Sequence, residues 1–182
     1  MNNTIETLPI SASLKKGISR MKFRSLTPVQ EQSIGPMLEK KDLLVQAPTG
    51  TGKTCAFAIP LIENLKKELN RLQAVILCPT RELAVQTAKV ITSLIIHEEG
   101  IRTLAIYGGE NIQRQMYALR RRPQIIVATP GRLMDHMQRR TIRMDQVSCG
   151  VLDEADTMLD MGFREDISKI LEAMPKERQT VL

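Results

Sequence analysis

The stretch LLVQAPTGTGKT, Leu43 to Thr54, joins an apolar run to a glycine-rich turn, and a helical run (CAFAIPLIENL) follows at once. A turn of this kind between a strand and a helix exposes backbone N–H groups to a phosphate. Lys53 can then reach the outer phosphates, and the Thr54 hydroxyl can bind magnesium. A glycine turn that merely capped a helix would not account for Lys and Thr directly after the second glycine. The loop residues Ala47, Pro48, Thr49, Gly50, Thr51 and Gly52 therefore form a candidate phosphate cradle, with Ala47 standing where the usual pattern begins with Gly.

On either side of that loop short apolar runs recur: 43–47, AVILC (74–78), TLAIY (103–107), IIVA (125–128), GVLD (150–153) and TVL (180–182). They are apolar throughout instead of alternating, which predicts strands buried on both faces. Between them lie segments with helical spacing: Leu83, Thr87, Val90, Ile91, Leu94 and Ile95; Ile112, Met116 and Leu119; Ile167, Ile170, Leu171 and Met174. Such β-α alternation predicts an α/β fold, a central parallel β-sheet flanked by helices on both faces. Ligands bind such sheets beyond the carboxyl ends of the strands. Residues 1–40 read as a separate helical preface, with Leu14, Ile18 and Met21 on one face and LTPVQEQSI opening a second helix.

At the end of one predicted strand stand three acids, Asp153, Glu154 and Asp156. Carboxylates there are costly unless a cation meets them. In a phosphate-loop enzyme an acid in this place holds magnesium and an adjacent one orients the attacking water. Asp153 fits the metal role and Glu154 the general base, with Lys53 completing the catalytic set; Asp156 is equally well read as a helix-capping acid.

Composition narrows the class. With 182 residues and 42% hydrophobic content the chain predicts one well-buried domain, residues 1–182. A net charge of +6 permits a polyanionic partner without establishing one. Five aromatic residues and no Trp argue against reading bases by stacking, so nucleic-acid contacts are expected to be to the backbone. Cys55, Cys78 and Cys149 lack zinc spacing, and neither a signal core nor a membrane-spanning run is present. A soluble protein of the reducing cytoplasm, with no membrane partner, is the expectation.

The letters DEAD stand literally at Asp153 to Asp156, with FRSLTPVQ (Phe23 to Gln30), PTREL (Pro79 to Leu83), GG (Gly108 and Gly109) and TPGRL (Thr129 to Leu133) in order upstream. In these five motifs, across almost its entire length, the chain resembles the DEAD-box RNA helicases. The resemblance implies a RecA-like P-loop domain using ATP and Mg2+ and binding RNA. Pro79, Thr80, Arg81, Gly108, Gly109, Thr129, Pro130, Gly131 and Arg132 would hold one strand by its sugar-phosphate backbone. Both PTREL and TPGRL place a Thr where it can cap a helix, so backbone N–H groups and an Arg converge on one edge.

In the family a Gln at position 30 reads adenine, and here Phe23 would pack on the base. TPVQ also matches a capping box, with Thr27 as the cap and Gln30 reaching back to the Thr27 N–H, and one amide cannot fully serve both. Three positions depart from the family: Lys22 stands for the common Gly, Leu26 for Pro, and Ile5 for an upstream aromatic. The family continues beyond RQTVL into a Ser-Ala-Thr segment, the partner of Asp156, and a second RecA-like domain. The expected activity is therefore an ATP-dependent RNA helicase whose N-terminal domain, alone, is nearly inactive. A DNA translocase and an RNA clamp that uses ATP as a switch are the rival classes. The basic runs Arg120–Arg122 and Arg139–Arg140 read as helix-end charges, and neither His97 nor His136 is assigned a role.

Overall fold

The computed structural model describes residues 4–21 and 25–182. Five strands form one all-parallel sheet: β1 (Ala74–Leu77), β2 (Thr103–Ile106), β3 (Ile125–Ala128), β4 (Cys149–Leu152) and β5 (Gln179–Val181), in the order β2-β3-β1-β4-β5. On one face lie α1 (Ala12–Arg20), α2 (Pro28–Leu38), α3 (Lys53–Glu63) and α4 (Arg81–Leu94), sharing a core with Ile76, Ile125, Val127 and Val151. Packed on the other are α5 (Ile112–Leu119), α6 (Pro130–Gln138), α7 (Ala155–Asp160) and α8 (Arg164–Glu172), against Val75, Leu77, Ile126 and Leu152. The continuous apolar runs thus have their physical reason: β1, β3 and β4 are buried at every position.

Two expected strands differ. Thr103 to Ala105 of β2 are only half-buried, because β2 is an edge with a single neighbour. The 43–47 run forms no regular strand. Leu43 bridges Val181, and three backbone bonds (Leu43 N–H to Thr180 O, 3.1 Å; Val45 N–H to Leu182 O, 2.8 Å; Leu182 N–H to Leu43 O, 2.9 Å) tie it to β5. With only one side paired, Leu44 is left 83% exposed. The α5 stripe differs too: Ile112, Met116 and Leu119 are half-buried, and the buried residue of that helix is Gln115.

The preface is not separate. Leu14 and Ile18 are fully buried in the common core, each stabilising by about 2–3 kcal/mol. Ser11 caps α1 and donates to Glu98 (3.0 Å), which also accepts from Ser13 (2.6 Å) and pairs with Lys67 (2.6 Å). Burial of the Glu98 carboxyl opposes its ionisation, but Lys67 and the two serines outweigh it and hold its pKa below the usual range. Where α1 crosses α4, a Cβ on Gly17 would sit 2.1 Å from the Leu94 carbonyl oxygen. Helix propensity favours Ala over Gly by only about 1 kcal/mol, whereas a backbone clash of this depth forces the helices apart. Gly17→Ala is therefore expected to lower the unfolding free energy by roughly 1–3 kcal/mol in urea denaturation; a more stable variant would contradict the close packing.

Candidate active site and nucleic-acid interface

The glycine-rich turn has the backbone that only glycine adopts cheaply. Gly50 and Gly52 lie at φ +81° and +90°, and Gly52 is the residue that starts α3. A Cβ on Gly52 would fall 2.5 Å from Gln30 Nε2, so steric and conformational demands coincide there. No side chain caps the amino end of α3, which leaves its first N–H groups facing the turn. Thr51 Oγ1 donates to Pro48 O (2.7 Å) and Lys53 Nζ to Ala47 O (2.7 Å), closing the loop on itself, while Thr49 is exposed at its tip. Thr54 follows in the first turn of α3.

Asp153 continues β4 by donating its N–H to Leu77 O (2.9 Å) and is only 8% exposed. Burial, then the neighbouring Glu154, pushes its pKa up, and Lys53 pulls it partly back down. Glu154 sits in the left-handed region at φ +54°, which costs a non-glycine residue roughly 1–2 kcal/mol, and it starts α7. A cavity of about 490 Å³ is lined by Ala47, Lys53, Phe57, Asp153, Glu154 and Asp156, so loop and acids share one space. Thr54 is not part of that lining. Asp156 is exposed and accepts from the Thr157 N–H (2.9 Å).

Among the described residues no three His, Cys, Asp or Glu side chains converge on a metal position. The three acids are therefore not a cage. One buried carboxylate opposite a phosphate loop suits magnesium, which takes one or two protein oxygens and completes its shell with water and substrate phosphates.

Gln30 is buried, its Oε1 accepting from Thr27 N–H (3.0 Å) and its Nε2 donating to Gly52 O (3.1 Å). The Gln30 half of the capping box is thus formed, and the same amide braces the phosphate loop. The Thr27 hydroxyl is buried without a partner among the described residues. An amide offers two donors and two acceptor positions, so among the described residues Gln30 keeps one of each. Phe23, expected to pack on a base, lies outside the described residues.

The remaining motifs rise from the carboxyl ends of β1, β2 and β3. Pro79 and Thr80 follow β1, and the Thr80 hydroxyl caps α4 by accepting from Leu83 N–H (3.2 Å). Gly108 and Gly109 follow β2; Gly109 has φ +81°, and a Cβ there would lie 3.5 Å from the Arg81 guanidinium. Arg81 lies over the Tyr107 ring, 4.8 Å from its centroid. Thr129 and Pro130 follow β3, with Gly131 and Arg132 in the first turn of α6. Thr129 occupies the cap position of α6, but its hydroxyl makes no capping bond, contrary to the expected pair of capping threonines.

Arg132 is turned partly inward. Its Nη1 donates to Glu110 O (3.1 Å) and to Gln115 Oε1 (3.2 Å), and Gln115 in turn meets His136 Nε2 (3.1 Å). Gln115 and His136 were not among the expected site residues. Both occupy gaps in the apolar stripes of α5 and α6, and a polar residue at such a gap is the signal that would have found them.

A phosphate-loop nucleotide-binding domain is the class that this fold and cavity define. Residues 27–182 match the DEAD/DEAH box helicase family. The chain is 50% identical to the DEAD-box ATP-dependent RNA helicase CshA of Bacillus licheniformis, over all of this chain and 37% of that protein. To the ATP-dependent RNA helicase CshA of Listeria monocytogenes it is 49% identical, over 95% of this chain and 33% of that one. The crystal structure of a DEAD box protein from the hyperthermophile Methanococcus jannaschii superposes with a TM-score of 0.92 at 40% identity, covering 98% of this chain and 49% of that one. The chain belongs to the DEAD/DEAH box helicase family. It spans about a third of the length of the curated relatives it matches.

The raised Asp153 pKa has a consequence for stability. A carboxyl whose folded pKa lies above its unfolded value contributes stability that is fully present below the unfolded pKa, about 3.9, and lost as pH rises through the folded pKa. At pH 7 the buried Asp153 carboxyl therefore costs stability relative to acid pH. Asp153→Asn is expected to raise the magnesium-free melting temperature at pH 7, with the advantage shrinking on acidification and gone below the ordinary aspartate range. Equal midpoints at pH 7 in differential scanning calorimetry would contradict it.

Proposed function

We propose that this chain supplies the ATP- and RNA-binding part of an ATP-dependent RNA helicase, an RNA-dependent ATPase that opens short RNA duplexes. The observation that carries the reading is the single cavity containing Lys53, Asp153 and Glu154 at the carboxyl end of β4, with the PTREL, TPGRL and GG segments following β1, β3 and β2 along the same edge of the sheet. The names of the relatives and the family match support it.

In this reading the amino end of α3 and the loop N–H groups cradle the ATP phosphates, and Lys53 leaves Ala47 O for the outer phosphates. Thr54 and Asp153 would hold Mg2+, which neutralises charge on the phosphates when bound. Glu154 accepts the proton of the attacking water, its left-handed backbone aiming the carboxylate into the cavity. The free donor and acceptor of Gln30 suit N6 and N7 of adenine, with Phe23 on the ring. Arg81, Arg132 and the backbone of Gly108, Gly109, Thr129, Pro130 and Gly131 grip RNA phosphates, independent of sequence. A second RecA-like domain of the same protein completes both sites, so the chain alone turns over little ATP. Three buried free thiols suit a cytoplasmic protein, and among the described residues no helix is long and apolar enough to cross a membrane.

Glu154→Gln in the intact protein is expected to retain ATP and RNA binding while turnover falls at least about a hundredfold; unchanged turnover in a steady-state ATPase assay removes Glu154 from the mechanism. Gln30→Ala should lose the preference for ATP over GTP. It should also lose about 1 kcal/mol of stability with the capping bond. If only stability falls and nucleotide preference survives, Gln30 is a brace and not a base reader.

A further inference from the structure

Gln115 is buried in α5, beneath the surface formed by the GG and TPGRL segments, and it uses every hydrogen-bonding position it has. Its Nε2 donates to Tyr107 O (3.0 Å) and to Glu110 Oε2 (3.0 Å), while its Oε1 accepts from Arg132 Nη1 (3.2 Å) and faces His136 Nε2 (3.1 Å). These partners fix the orientation of the amide. Turned over, its oxygen would face two acceptors and its NH2 a guanidinium.

The same logic fixes the histidine. Since Gln115 Oε1 only accepts, His136 Nε2 must carry a proton. The ring is buried, and burial followed by the Arg132 charge lowers its pKa, so it is neutral and Nδ1 is an acceptor. The Thr141 hydroxyl, 2.7 Å away, is the donor within reach of that Nδ1, and its one proton is shared between Nδ1 and the His136 carbonyl oxygen at 3.0 Å. A chain therefore runs from Thr141 through His136 and Gln115 to Arg132, with no polar atom of Gln115 or of the His136 ring left unsatisfied. Networks completed in this way are rigid, and a partly broken one is costly.

Its outer end, Arg132, is a group assigned above to RNA. Arg132 Nη1 is held by Gln115 and by Glu110 O, which leaves the Nε and Nη2 donors of the guanidinium without a protein partner among the described residues. Tyr107, held through its carbonyl, precedes Gly108 and Gly109 and carries the Arg81 guanidinium on its ring. One amide thus ties together the segments after β2 and β3, and Arg81 on the Tyr107 ring brings the segment after β1 against them.

We propose that Gln115, buttressed by His136, is a positioning residue that fixes the Arg132 guanidinium and the Tyr107–Glu110 loop as one pre-arranged phosphate-gripping surface. The proposal rests on the reading that Arg132 contacts RNA. Its work is done before RNA arrives: a guanidinium already locked by two bonds loses less side-chain freedom on meeting a phosphate.

The test uses RNA-stimulated ATPase activity of the intact protein, with a single-stranded oligoribonucleotide titrated well below the melting temperature of every variant. Gln115→Met, similar in size but without the amide, should raise the RNA concentration for half-maximal stimulation about tenfold and leave kcat at saturating RNA within about twofold. His136→Phe, which keeps the ring and loses the N–H, should act in the same direction by about threefold and serves alone if Gln115→Met does not fold. In an Arg132→Ala background, Gln115→Met should cost about threefold or less, because the group it positions is gone.

If Arg132→Ala weakens RNA stimulation while Gln115→Met and His136→Phe do not, the proposal is overturned and the RNA reading stands. If Arg132→Ala itself leaves the RNA dependence unchanged, the reading of Arg132 as an RNA contact falls and takes the proposal with it. Full multiplication of the Gln115 and Arg132 effects, or a fall in kcat equal to the rise in half-saturating RNA, would make Gln115 a general structural residue and overturn the positioning role.

Discussion

The register of β1 governs the working edge of this domain. Ala74 to Leu77 pair with Ile125 to Ala128 on one side and with Cys149 to Leu152 on the other, and Ile106 of β2 stands opposite Ala128. The next residues in line, Cys78, Tyr107, Thr129 and Asp153, therefore emerge at one level. Backbone bonds carry the ladder that one step further: Cys78 N–H to Ala128 O, Thr129 N–H to Ile106 O and Asp153 N–H to Leu77 O. The PTREL, GG, TPGRL and DEAD segments begin there. A slip of one residue would turn each side chain to the opposite face and carry Asp153 away from Lys53, so the burial of β1 on both faces protects the chemistry as much as the core.

Strand order then sorts the motifs. The GG, TPGRL and PTREL segments leave β2, β3 and β1, which are consecutive neighbours, and the acids leave β4, the next strand over. The proposed RNA and ATP sites thus divide one edge between them and meet at the β1–β4 border. Cys78 records how close that meeting is: its thiol is pushed up to about 12, first by burial and then by the charge of Asp153. Arg81 opens α4 three residues beyond Cys78, so the two sites are separated by little more than the width of two strands.

How much of this was legible in the sequence depended on whether the signal was local. The phosphate loop and the strand runs were readable because glycine conformation and unbroken apolar stretches are properties of contiguous residues. The fate of Leu43 to Ala47 was not, since whether a run lies inside a sheet or at its margin depends on a partner more than a hundred residues away. The docking of α1 escaped for the same reason: Ser11 and Ser13 find Glu98 only once the chain has folded, and Gly17 is small because of Leu94. Gln30 was the mixed case. Its capping bond to Thr27 is three residues away and was foreseen, whereas its second bond, to Gly52, needed the fold. Gln115 and His136 carried a local signal, a polar residue in an apolar stripe, but only their contact across α5 and α6 gives that signal a meaning.

The two ends of the sheet are built on different terms. At the amino ends, buried glutamines complete the backbone. Gln73 exchanges bonds with Lys66 N–H and O, Gln124 accepts from Arg102 N–H, and Gln179 donates to Met37 O and Lys41 O. These are satisfied polar groups, and they rigidify. At the carboxyl ends the unfavourable terms collect: a desolvated carboxylate at Asp153, a left-handed backbone at Glu154, and at Thr27 a hydroxyl with no partner among the described residues. Each persists because the surrounding structure over-determines it, and in the proposed function a ligand bearing phosphate and a cation would offset the Asp153 charge. Gln115 is the exception at that end, a fully satisfied amide beneath the proposed RNA surface. Its presence fits a division in which the nucleotide side stores strain to be released by binding, while the RNA side is held ready in advance.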